Sequence, residues 1–416
     1  MNLLLRHRNF RLLWTGALIS MIGDWMLMTA LPIYVYQLTG SALATSITFA
    51  ASTLPGLALS SIAGVFVDRW DRRQVMVVCN VLFALALLPL LAVRSPGQVW
   101  IAYAVAFAQS CIARFFRPAE NALLPLLVGE DDLVGANALN ALNDNLARLA
   151  GPPLGGLIAG AASLGGVVAA DALSFAVAAL LIALVRPPAA SNAAEAAAPA
   201  ETQPPSVGRE LRAGLALAWR RPMVRLVCAI GAICSIGEGM MSVMFILWVS
   251  KVLGGGAREV GWFMGAQAIG GIIGGLIIGR VAKALGTIRL LWVSGVLFGA
   301  IDLLLFNYPR VAGGLWPGLA LIALVGVPAV GFFTAQTSLL QQHVPDAYRG
   351  RVFGAIGMLS AGCYLASTLL AGLIGGGLEP MAVLTVQGAA YMAAGLLVLV
   401  SASEPRPGGL EPAPEA

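Results

Sequence analysis

One carboxylate stands in the middle of an otherwise apolar run. Asp24 lies within Ser20 to Met28 (SMIGDWMLM), inside a run from Phe10 to Tyr36. A charge at mid-bilayer costs roughly 2.5–3.5 kcal/mol on insertion scales, so an acid there needs a partner or a task. The phrase returns as Ser235 to Met241 (SIGEGMM), where Ile22, Gly23, Asp24 and Met26 match Ile236, Gly237, Glu238 and Met240 at a constant offset of 214. A carboxyl group deprived of water takes up a proton more readily, and its ionised form attracts a cation. Either property suits gradient-driven exchange. The competing reading for both acids is a hydrogen bond that ties two helices together.

Further polar groups interrupt apolar runs. Gln109, Gln267, Gln336 and Gln387 are placed to meet a substrate. Met21, Met26, Met28, Met240, Met241 and Met244 crowd the two acids; methionine surfaces adapt to varied apolar ligands, though ordinary packing accounts for any single one. Asn137, Asn140, Asp144 and Arg148 fall on one helical face. Asp144 and Arg148 are spaced for an i,i+4 ion pair, so this stripe either lines a cavity or ties two helices. Asp171 and Asp302 are additional carboxylates within spans.

Other chemistries lack their residues. The lysines are Lys251 and Lys283, and neither follows a glycine, so no phosphate loop exists and ATP is not the direct energy source. His7 and His343 are the two histidines, too few for a histidine metal or haem cluster. No nucleophile–base pair is visible. We therefore expect no enzyme, no cofactor, no metal and no nucleic-acid partner. Five cysteines lie in or beside apolar runs without CxxC spacing and read as small hydrophobes.

The elements that must position the acids are membrane helices. The chain has 416 residues, 59% hydrophobic and 11% charged; soluble domains run at about 45–50% and 25%. Apolar runs of helical length are expected at 10–36, 42–66, 74–94, 98–117, 137–161 and 165–186, and again at 223–250, 259–281, 287–307, 314–341, 350–375 and 379–401. A cytoplasmic excursion is expected from Pro118 to Gly135. The fold class is thus an all-α membrane protein of twelve spans in two pseudo-symmetric six-helix bundles, a parallel duplication. The domains expected are 1–186, a linker at 187–221 ending in a basic amphipathic helix, 222–402, and a disordered tail at 403–416. Nineteen of the 25 Lys/Arg fall on one side of this topology and four (Arg94, Lys251, Arg258, Arg310) on the other, which places both termini in the cytoplasm. The apolar run near Phe10 is too long for a cleavable signal and is expected to stay as the first span.

Two motifs carry a family resemblance. Gly64-Val-Phe-Val-Asp68-Arg69-Trp-Asp-Arg72-Arg73, between spans two and three, resembles the GxxxDRxxRR signature of the major facilitator superfamily. Gly151-Pro152-Pro-Leu-Gly155-Gly156 resembles its antiporter motif, with Ala138 and Ala147 where that motif has upstream glycines. Phe116 to Val128 (FRPAENALLPLLV) and Gly135 to Asn143 (GANALNALN) look like the drug:proton antiporter branch, which holds macrolide and enterobactin-type siderophore exporters. The resemblance implies a secondary transporter in a bacterial inner membrane, exchanging protons for a small amphiphilic substrate by alternating access among membrane lipids, as a monomer. It also implies that Gly64, Asp68, Arg69, Arg72 and Arg73 form a latch that breaks when the cytoplasmic side opens. Alternatives are a lysophospholipid flippase, a solute importer, or a receptor or scaffold without turnover.

Overall fold

The computed structural model describes residues 2–67, 70–186, 221–344 and 346–402. Ten uninterrupted segments are long and apolar enough to cross a bilayer. One of them, Leu133–Ala183, is 51 residues long and folds back at Ala162 and Ser163, where the backbone leaves helical geometry (Ser163 φ 57°), so it supplies two spans. Ala42–Val67 adds a further 26 residues of helix without a charged side chain. Twelve spans result: α1 Arg8–Thr39, α2 Ala42–Val67, α3 Arg72–Leu87, α4 Val99–Val128, α5 133–161, α6 164–183, α7 Pro222–Lys251, α8 Ala257–Leu285, α9 Thr287–Asn307, α10 Trp316–His343, α11 Asp346–Ile374 and α12 Pro380–Ala402. The expected linker, most of its amphipathic helix, Asp68, Arg69 and the tail lie outside the described residues.

Tight turns produce the alternation. Helix α1 stops at Gly40, whose φ of 62° suits a residue without Cβ and whose N–H donates to Tyr36 O at 2.7 Å. Helix α3 starts at Asp71, whose carboxylate accepts from Gln74 N at 2.8 Å. The excursion expected from Pro118 to Gly135 is mostly helix instead. Helix α4 continues through Pro118 and Pro125 to Val128, and only Gly129 breaks it. Ala119, Leu123, Leu124, Leu127 and Val128 are buried there, and that apolar face outweighs the hydrogen bonds the two prolines remove.

Two apolar cores form. One gathers Phe10, Leu13, Met76, Phe83, Leu123 and Phe175 from the first six spans. The other gathers Val243, Trp248, Phe263, Phe306, Phe332 and Tyr391 from the last six, with Ile33, Tyr36 and Ala42 of the first half joining it. Within each core the helices approach through small residues, as lipid gives helices no hydrophobic reason to associate. The α8–α10 seam is the tightest case. A Cβ on Gly274 would sit 2.7 Å from Val327 Cα, and one on Gly270 would overlap the carbonyl of Ala323. Gly270→Val is therefore expected to destabilise the protein by about 1–3 kcal/mol through overpacking. A melting curve of the detergent-solubilised variant unchanged from wild type would show that this seam yields.

Contacts between the two halves cluster away from the termini. On α5 and α8, a Cβ on Gly156 would lie 3.0 Å from Gly261 Cα, and one on Gly265 would lie 2.7 Å from Pro153. On α2 and α11, a Cβ on Gly372 would meet Leu43 Cα at 3.1 Å, and one on Gly375 would meet Ala42 at 2.8 Å. Toward the termini the same helices stand free. Added Cβ atoms at Gly275 and Gly279 of α8, or at Gly354, Gly357 and Gly362 of α11, meet nothing within 4 Å. Among the described residues the bundles are thus closed against each other on the far face, while α8 and α11 stand apart from the other bundle toward the termini.

Candidate functional site

The parted bundles leave a crevice, and the two repeated acids stand at mid-height on either side of it. Asp24 is the seventeenth residue of a 32-residue helix, about 24 Å along its axis from the first. Glu238 holds the matching place in α7. Neighbours on α1 show which way Asp24 points. Gly23 faces Asp171 and Ser174 of α6, while Trp25 and Met26 lie against Gly151 and Gly155 of α5. Asp24 is left exposed, with Met28 one turn on at 55% exposure. It makes no hydrogen bond or ion pair among the described residues, and the charges acting on it are Arg117 of α4 and Asp171.

Glu238 is half-buried and partnered. Tyr391 of α12 donates its hydroxyl to Glu238 Oε1 at 2.9 Å. The cation whose field reaches Glu238 is Arg148, from the opposite bundle. Each acid is therefore within the field of an arginine at more than ion-pair distance: Arg117 of its own bundle for Asp24, and Arg148 of the opposite bundle for Glu238. The pair expected between Asp144 and Arg148 is not formed among the described residues. Both are exposed, Arg148 faces Glu238, and Asp144 acts on Glu120. An i,i+4 pair in water is worth only a few tenths of a kcal/mol, too little to hold two side chains that have other charges to face.

Several expected lining residues belong to the bundle interiors. Met26 is 5% exposed and packs on Gly155. Gln109 donates to Phe83 O at 3.1 Å, tying α4 to α3. Gln336 donates to Val227 O at 3.5 Å, and Gln387, 3% exposed, donates to Met241 Sδ at 3.3 Å. Met240 is half-buried against the second core. Gln267 is half-buried and makes no side-chain hydrogen bond among the described residues. The crevice residues that sequence reasoning undervalued are Arg117 and Glu120, at the level of the expected excursion. Tyr391 it did not single out, because an aromatic in an apolar run carries no periodic signal.

The GPPLGG stretch joins three helices. Gly151 and Gly155 seat α1 against α5; a Cβ on Gly155 would lie 2.7 Å from Met26 Cα. Pro152 O and Gly156 face Gly261 of α8. The same stretch thus holds α5 inside its own bundle and forms the closed seam with the other. Of the basic loop, Gly64 lies in α2 with its surroundings outside the described residues, as are Asp68 and Arg69. Arg73 donates from Nε to Ile182 O at 3.3 Å and also binds Ala183 O. It therefore caps the end of α6, where unpaired carbonyls and the negative helix pole favour a cation. Arg73→Ala is expected to cost about 1–2 kcal/mol and to fray that helix end. Hydrogen exchange over 180–184 checks it, and unchanged protection there would refute the cap.

The Major Facilitator Superfamily profile matches residues 13–360 and 227–416, which together take in nearly the whole chain. The chain belongs to the major facilitator superfamily. Among its relatives is macrolide efflux protein A of Streptococcus pyogenes, 25% identical over 360 residues, 85% of this chain and 87% of that one. The multidrug efflux pump Tap of Mycolicibacterium fortuitum is 29% identical over 369 residues, 86% and 87% of the two chains. The enterobactin exporter EntS of Escherichia coli O1:K1 / APEC is 26% identical over 421 residues, 96% and 93%. A bacterial homologue of the iron transporter ferroportin, solved in an inward-facing state, superposes with a TM-score of 0.73 at 17% identity over 95% of this chain and 99% of that one, a likeness of fold. As a superfamily member the chain is a multi-pass membrane transporter, and these three relatives are exporters by name.

Proposed function

We propose that this superfamily member is a proton-coupled exporter of small amphiphilic molecules, of drug, macrolide or siderophore type, working as a monomer in a bacterial inner membrane. The termini-bearing face is the cytoplasmic one, in keeping with the excess of Lys and Arg there. On that assignment the crevice opens inward. The observation that carries the reading is Asp24: a mid-helix carboxylate on the crevice wall with no hydrogen bond or ion pair among the described residues. An unpaired carboxylate in a low-dielectric cleft is costly. It is relieved by a proton or by the cationic part of a bound molecule, and competition between those two occupants is what antiport requires. Glu238, already hydrogen-bonded, is the second acid of the same cycle. Met21 and Met28, on the same face as Asp24, provide an adaptable apolar contact.

The test is efflux from inverted vesicles of cells producing the full chain, with a macrolide, a cationic dye and a catecholate siderophore as probes. Uptake of one of these that requires an imposed pH gradient and collapses with a protonophore is expected. Transport indifferent to the gradient, or flux of lysophospholipid instead of all three probes, would overturn the reading.

A further inference from the structure

The second bundle contains an acid that the exchange cycle above does not use. Asp302 of α9 is 1% exposed, and its Oδ2 is buried without a hydrogen-bond partner among the described residues. Its place is set by close packing of α9 on α12. A Cβ on Gly388 would lie 3.1 Å from Asp302 Cβ. Tyr391, one turn further along α12, is 1% exposed and stacks on Phe298, one turn before Asp302, with ring centroids 4.4 Å apart and an angle of 18°. The same Tyr391 donates to Glu238 Oε1 at 2.9 Å. Asp302 and Tyr391 thus occupy facing surfaces of two tightly packed helices, and Tyr391 reaches from there to the crevice acid.

Among the described residues Asp302 has no counter-ion. The titratable groups facing it are Glu238 and Tyr391, and α10 presents none at this level. Facing Glu238 are Tyr391 from α12, Tyr364 from α11, Arg148 from α5 across the crevice, Asp302 from α9, and Cys234 on α7 itself. Two carboxylates with one distant arginine cannot both stay ionised cheaply in a dry bundle, since each would be desolvated and would repel the other.

We propose that the second bundle carries its own proton-binding site, in which Asp302 and Glu238 share a proton through the hydroxyl of Tyr391. Asp302 holds the proton in the state described here. Asp302 and Tyr391 share no hydrogen bond among the described residues, so transfer begins with rotation of the Asp302 carboxyl toward the Tyr391 hydroxyl. The O–H bond of Asp302 then breaks as one forms at Tyr391 Oη, and Tyr391 gives its former proton to Glu238 Oε1. No oxidant or third reactant is needed, and one proton passes from the buried acid to the crevice. The two acids then titrate as a pair. The site deepens the transport reading in its use, but its existence does not depend on it.

Infrared difference spectroscopy of the purified full chain in lipid nanodiscs tests this with the proton as sole probe. Wild type at neutral pH is expected to show the carbonyl stretch of a protonated carboxylic acid that Asp302→Asn removes and Asp24→Asn retains. Tyr391→Phe is expected to move the midpoint of the remaining crevice band by roughly half to one pH unit. An identical neutral-pH band in wild type and Asp302→Asn overturns the proposal, as does a Tyr391→Phe titration superposing on wild type. If Asp302→Asn fails to fold, solid-state NMR of wild type labelled with carboxyl-¹³C aspartate decides. A neutral carboxyl signal that persists in both Asp24→Asn and Asp171→Asn supports the site, and its absence refutes it. Gradient-independent efflux alongside a confirmed band would sink the exporter reading alone. A missing band alongside protonophore-sensitive efflux would sink this site alone.

Discussion

Asp24→Asn is expected to reach the membrane folded and to lose all coupling between efflux and the proton gradient. The substitution keeps the side chain's volume and removes its charge and its proton. Asp24 contributes no hydrogen bond or ion pair to the described structure, so stability should change little. What is lost is the work of the gradient. One charge moved through 100 mV is worth about 2.3 kcal/mol, which corresponds to roughly a fiftyfold accumulation. In vesicles under an imposed gradient the variant should equilibrate its substrate and go no further, with counterflow exchange preserved. Full accumulation by Asp24→Asn would transfer the coupling role elsewhere, and the Glu238 pair would be the next candidate. Loss of counterflow as well would mean that the carboxylate binds substrate rather than proton alone.

Gly156→Leu should change which state the protein occupies. Gly156 of α5 meets Ala257 and Gly261 of α8 with no room for a Cβ. A leucine there pushes the halves apart on the far face, where they are closed, while leaving the α1–α5 contacts of Gly151 and Gly155 intact. Overpacking costs typically 1–3 kcal/mol. Levied on one of two alternative arrangements, that shifts their ratio by roughly five- to a hundred-and-fifty-fold. The readout is accessibility of a single cysteine placed at Ala257 to a membrane-impermeant thiol reagent added from the far face. Labelling should rise strongly in Gly156→Leu, and transport should fall even though Asp24 is untouched. Unchanged labelling would show that α8 slides rather than separates. Gly151→Leu is the contrasting variant: it clashes with Trp25 and Ile22 inside one bundle and should lower the melting temperature instead.

Much of this arrangement was legible from the order of residues. The mid-span acids were visible because a charge in a long apolar run breaks a physical rule, and their duplication gave the two-bundle plan. Apart from the outer end of α3 and the inner end of α4, the helices end within a few residues of the expected spans, because a bilayer sets the length of helix it can take. Other features were not legible for identifiable reasons. Pro118 and Pro125 read as helix breakers, yet the buried face from Ala119 to Val128 carries α4 straight through them. The spacing of Asp144 and Arg148 permitted a pair, but spacing says nothing of the competing fields of Glu238 and Glu120. Met26 and Gln109 carry the residue types of a binding wall while facing inward, because rotation of each helix about its axis is set by long-range packing. The Tyr391 bond to Glu238 joins residues 153 apart, a proximity no local pattern encodes.

The far-face connections have one further implication. Residues 40–41, 93–95, 162–163, 252–256, 311–315 and 375–379 are all that lies there between helical segments, none of them longer than five residues. A surface so sparing of chain gives an antibody or a protease approaching from that side very little to grip. Any domain grafted onto this protein, and any cellular factor that restrains it, therefore has to reach it from the face where the chain begins and ends.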